Sequence, residues 1–69
     1  MTFKEELSDA LNFEYVSLAV RKNATVRAKP VVVVNVFRGE HMNSFAFDKN
    51  ADTSVAHIAG VINEYMARQ

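Results

Sequence analysis

Sixty-nine residues, 49% of them hydrophobic, set the scale of a single small domain built around one core. Eight basic residues balance eight acidic ones, which argues against a general nucleic-acid binder and against an acidic DNA mimic. The absence of cysteine excludes disulfides and thiolate metal sites, and no apolar run approaches the roughly 18 residues of a membrane span.

The first helix is expected from about Phe3 to Asn12. Thr2 followed by Glu5 fits a capping box, and Phe3, Leu7, Ala10 and Leu11 form one stripe at helical spacing. From Glu14 to Lys22 the pattern changes to period two. Val16, Leu18 and Val20 fall on one face, with Tyr15, Ser17, Ala19 and Arg21 on the other. Lys22-Asn23-Ala24 reads as the turn, because asparagine tolerates left-handed backbone. A second strand is expected from Thr25 to Phe37, with a bulge or an edge segment at Pro30, which has no N–H for the ladder. Arg38-Gly39-Glu40-His41 supplies the next turn, Met42 to Phe47 the third strand, and Asp48 to Ala51 a loop. Asp52 or Thr53 is expected to cap a final helix reaching about Ala67. Its core stripe is Val55, Ile58, Ala59, Ile62, Tyr65 and Met66.

The order is thus α-β-β-β-α, an α+β fold of two layers. A three-stranded antiparallel meander sheet packs against helices on one face. Val16, Leu18, Val20, Val26, Val32, Val34, Val36, Phe45 and Phe47 are expected beneath the helices. Tyr15, Ala19, Val31, Val33, Phe37, Ser44 and Ala46 then share the opposite face, ringed by Arg21, Arg27 and Lys29. The run Val31-Val32-Val33-Val34 does not alternate, as a strand wet on one side should. Two helices supply one cover only, so this run points to a partner on the other face.

Catalytic signals are weak. His41 and His57 are the only imidazoles, and neither has a nucleophile or carboxylate at a spacing that defines a triad. Asp48, Asn50 and Asp52 begin like a calcium loop, but Thr53 and Ala59 stand where glycine and glutamate are needed. With only Gly39 and Gly60, no phosphate-cradling loop can be built. The expectation is a protein that is not an enzyme and has neither cofactor nor metal. Asn23-Ala24-Thr25 matches a glycosylation sequon, and the acidic start Met1 to Glu6 does not look like a secretory signal, so a cytoplasmic protein without a membrane is expected.

Charge is distributed unevenly. Arg21, Lys22, Arg27, Lys29 and Arg38 are five cations with no acid between them, on a chain whose first twenty residues are acidic. A cationic hairpin can protect a strand edge or dock an acidic surface. In the last helix Ala56, Gly60, Asn63 and Ala67 form a stripe of small residues, suited to packing on the first helix or to a dimer contact. The element order resembles the double-stranded RNA-binding domain over nearly the whole chain, in topology alone. That family carries a basic cluster at the start of its last helix, where this chain has Asp52, Thr53, Ser54 and Val55, so no RNA-binding residue carries over.

These readings converge on a small protein–protein interaction module, an inhibitor or regulator of a host protein encoded by a phage or mobile element, that self-associates as a homodimer. Tyr15, Arg21, Arg27, Lys29, Val31, Val33, Phe37 and Arg38 would bind a protein with an acidic surface. The dimer alternative is Ala56, Gly60, Asn63 and Ala67. The functional alternative is nucleic-acid binding, with Arg21, Arg27, Lys29 and Arg38 on phosphates and Tyr15 or Phe37 stacking.

Overall fold

The computed structural model describes residues 2–68. Its elements are α1 (Phe3–Ala10), β1 (Ser17–Val26), β2 (Lys29–Arg38), β3 (His41–Asp48) and α2 (Val55–Ala67). The strands form an antiparallel meander in the order β1-β2-β3, so the α-β-β-β-α, α+β expectation holds. No helix among the described residues is long and apolar enough to cross a membrane.

Helix α1 starts where the hydroxyl of Thr2 accepts the Glu5 backbone N–H at 3.2 Å and donates to the Glu5 carboxylate at 3.2 Å. One orphan N–H of the first turn is thereby met by the cap side chain, and the second bond holds the two side chains together. The helix stops at Ala10, two residues earlier than the periodicity implies. Helix α2 is capped by Ser54, not by Asp52 or Thr53: the Ser54 Oγ accepts the His57 N–H at 3.3 Å. Asp52 acts one step earlier, accepting the Ser54 N–H at 2.9 Å, and this bond holds its carboxyl below the ordinary carboxylate range.

The first hairpin differs from the expectation in an informative way. Strand β1 runs to Val26, and the chain reverses at Arg27-Ala28, not at Lys22-Asn23-Ala24. Arg27 and Ala28 have φ of 52° and 65°, so both occupy left-handed backbone as a two-residue turn matched to strand twist demands. Asn23 sits in a bulge instead. Arg21 pairs with Val33 and Ala24 with Val31, leaving Lys22 and Asn23 together opposite Val32. The extra residue resets the alternation, which is why Val26 emerges exposed and not beneath a helix. Val16 lies ahead of the strand and is 74% exposed, so it too leaves the expected core.

Pro30 produces no bulge. The last β2–β3 pair is Val31 with Asp48, so the missing N–H faces a side where β3 has ended. Its carbonyl still accepts the Lys49 N–H at 3.1 Å. The second hairpin closes at Gly39-Glu40, with Arg38 opposite His41. Gly39 has φ +57°, the sign that a two-residue hairpin turn with glycine first requires.

The core lies between one sheet face and the two helices. Leu7, Val34, Val36, Ile58 and Ile62 are fully enclosed, joined by Leu18, Val32, Ala59 and Met66. Each large side chain so buried contributes about 1.5–3 kcal/mol. No side-chain polar atom among the described residues is buried without a partner. A local polar tie supplements the apolar packing between the helices. Asn63 accepts the Asn12 N–H at 3.0 Å and donates to the Ala10 carbonyl at 3.1 Å, tying off the C-terminal end of α1.

Candidate interaction surface

Strand register fixes the membership of the face without helices. Its rows are Ser17, Phe37 and Met42; Ala19, Asn35 and Ser44; Arg21, Val33 and Ala46; and Ala24, Val31 and Asp48. None of these residues belongs to the helix-side core cluster. Phe37 and Val33 are half-buried, Ala46 and Ser44 are exposed, and Met42 is 55% exposed. In the middle row the Ser44 hydroxyl donates to the Asn35 amide oxygen at 2.7 Å, separating two apolar areas by a satisfied polar pair.

The expected partner-binding set divides on this frame. Arg21, Lys29, Val31, Val33 and Phe37 share the open face by register. Val31 is only 8% exposed, flanked by Ala24, Asp48, Lys29 and Val33, so Val33 is the accessible member of the valine run. Arg27 occupies the turn beside this face. Tyr15 does not belong to it: its ring packs against the helix-side core, 5.7 Å from the Phe13 ring, and its hydroxyl bonds to Ser8. Tyr15 precedes β1, which begins at Ser17, so strand alternation does not govern its direction. Arg38 also lies elsewhere, with its guanidinium 5.9 Å from the Phe13 ring centre.

The five cations therefore do not form one patch. Lys29 and Arg38 open and close β2, about 30 Å apart at ~3.3 Å per residue. Lys22 turns to the helix side, its ammonium 4.5 Å from the centre of the Phe3 ring. Arg27 and Lys29 stand at the hairpin end of the open face, and Arg21 stands on its β1 margin beside Val33. Asn23, next to them, accepts from the Lys49 ammonium at 2.9 Å, a bond that spans β2 from β1 to the residue after β3.

The small-residue stripe of α2 separates as well. Ala56, Gly60 and Ala67 are exposed, and a Cβ built on Gly60 would meet nothing within 4 Å. Asn63 alone of the four is half-buried, and it bonds to the Ala10 carbonyl at the end of α1. Gly60 thus answers to no packing demand within the chain.

An open groove of about 540 Å³ was not foreseen; it is lined by Glu14, Tyr15, Val16, Arg38, His41 and Met66, among others. The period-two pattern hid it, because it forms only where the pre-strand segment passes the second turn. Met42 and Asn35 were also missed on the open face, although counting outward from the two-residue turn at Gly39-Glu40 would have found both. His57 serves the fold: its ring meets that of Phe47 edge-on at 6.5 Å. No group of three or more His, Asp or Glu positioned for a metal occurs among the described residues. No protein-family model, curated protein or solved structure matches this chain.

Proposed function

We propose that this chain is a non-enzymatic protein-interaction module, an inhibitor or regulator that docks its open sheet face onto an acidic partner. The observation that carries the reading is the composition of that face. Val33, Phe37, Met42 and Ala46 present apolar surface, with Arg27 and Lys29 at one end, Arg21 on the β1 margin beside Val33, and Asp48 its single acid. An apolar centre with an arginine rim is how protein interfaces are built, since the centre is desolvated and the rim orients the partner.

The test compares immobilised wild-type chain with Val33→Glu and Val61→Glu in capture from total cell protein. Val61 is exposed on the helix side and serves as the control for a new charge alone. Support is a protein retained by wild type and Val61→Glu, lost on Val33→Glu, and released by added salt. An identical captured set on all three chains would sink the reading.

The second reading, nucleic-acid binding, draws on Arg27, which lies in an exposed turn two residues from Lys29, with Arg21 farther along the same face. Three phosphate contacts predict a log–log salt slope of about −3 on duplex DNA. No binding to DNA or RNA at low salt removes this alternative.

A further inference from the structure

The two edges of the sheet are unlike. The β1 edge is broken by the bulge at Lys22-Asn23, carries Arg21 and Lys22, and lies beside α1. Those are the devices by which proteins blunt a strand edge. The β3 edge lacks both the bulge and the cations. His41 to Asp48 is regular through its register with β2 and holds no proline, lysine or arginine.

Which backbone groups are free there follows from the ladder. The Lys49 N–H bonds to Pro30, so the residues of β3 that exchange hydrogen bonds with β2 are the odd-numbered ones, Phe47, Phe45 and Asn43. The N–H and C=O groups of Met42, Ser44 and Ala46 point away from the sheet. No other hydrogen bond among the described residues reaches them, whereas the Asp48 carbonyl accepts the Ala51 N–H at 3.0 Å. Both flanks of this edge are apolar. Met42 and Ala46 lie on the open side; on the helix side Phe45 meets Tyr65 edge-on at 5.3 Å, and Tyr65 is 46% exposed.

We infer that β3 pairs antiparallel with β3 of a second copy of this chain about a two-fold axis at Phe45, making a continuous six-stranded sheet. The occupant is a second copy because the segment is complementary to itself. Outward-bonding residues must oppose outward-bonding residues, and centring on Phe45 sets Ser44 against Ala46 and Met42 against Asp48 of the other copy. Phe45 then faces its counterpart in a close, non-hydrogen-bonded pair, the geometry in which aromatic side chains meet best. Sliding the axis to Ser44 would instead oppose Phe45 to Asn43 and lose the aromatic pair. The pairing is isologous and closes on itself, so it yields a dimer and not a fibre. It leaves the open faces free and side by side, so it stands or falls separately from the docking reading.

Ala46→Pro tests the edge directly. It removes an N–H that β2 does not use, on a residue whose side chain is exposed. Sedimentation equilibrium should show wild type and Val33→Glu as dimers at about 100 μM and Ala46→Pro as a monomer with unchanged far-UV circular dichroism. Amide exchange on the wild-type chain supplies a measurement that needs no variant. Ser44 and Ala46 should gain protection of about tenfold or more with rising protein concentration, while Asn43, Phe45 and Phe47 are protected throughout. A wild-type monomer at this concentration, or a dimer in which Ser44 and Ala46 stay unprotected, overturns the inference. So does a dimer lost on Val33→Glu and kept on Ala46→Pro, which would move association to the open face.

Discussion

The first hairpin turn holds a measurable reserve of strain. Arg27 and Ala28 have φ of 52° and 65°, and neither has a side chain suited to left-handed backbone. That conformation costs an L-residue about 1–2 kcal/mol through the contact of Cβ with the following carbonyl oxygen. Ala28→Gly removes the contact but frees the unfolded chain, which returns about 0.4–1 kcal/mol of the gain. The expected net is about 0.5–1 kcal/mol of added stability. In a domain of this size that raises the midpoint of thermal unfolding by about 2–8 °C, read by circular dichroism and confirmed by urea titration at constant m. Gly39→Ala is the mirror control. Gly39 has φ +57° and a Cβ there would meet nothing within 4 Å, so any loss is a backbone cost alone, expected near 1 kcal/mol. If Ala28→Gly lowers stability while Gly39→Ala also lowers it, the turn at Arg27-Ala28 is not strained and the reasoning fails.

Asn63→Ala should cost about 1–2 kcal/mol, because it unties both the Asn12 N–H and the Ala10 carbonyl; amide exchange at Asn12 should accelerate, and an unchanged rate would refute the tie. Gly60→Ala should stabilise by about 1 kcal/mol, since the helix gains propensity and the new methyl meets nothing; a destabilised variant would mean that something covers this position. Asp52 adds a pH dependence whose sign is set. Its folded carboxyl lies below its unfolded value because of the Ser54 N–H, with His57 adding to the effect, so its contribution is present above the unfolded pKa and is lost as pH falls below about 4. Urea titrations of wild type and Asp52→Asn should converge in that acid range, and parallel curves would refute the assignment.

Much of the architecture was readable along the chain because its signals are periodic and local. Ile58, Ile62 and Met66 recur at helical spacing and are buried as that spacing requires. Val34 and Val36 alternate inward, and Gly39 marks a turn that could form nowhere nearby. The misreadings share a cause. Asn23 resembles a turn residue, and Arg27-Ala28 does not, so local chemistry named the wrong reversal. The pairing of Val26 with Lys29 prevailed because it keeps Leu18, Val20, Val32, Val34 and Val36 on one face while the bulge absorbs the mismatch. Tyr15 was assigned outward by alternation with Val16, although the strand had not yet begun there.

By itself the sequence determined the element order, the centre of the helix-side core at Leu7, Val34, Val36, Ile58 and Ile62, and the existence of an apolar sheet face opposite the helices. These follow from hydrophobic periodicity, which local spacing expresses fully. Only the tertiary structure decided which cations stand together, which valine is reachable and which strand edge is open. Arg21 and Lys29 belong to different strands, and they share the open face only because β1 and β2 pair with Arg21 opposite Val33 and Val26 opposite Lys29. Such placements depend on register and on one bulge, and register is a property of paired strands that no single strand carries.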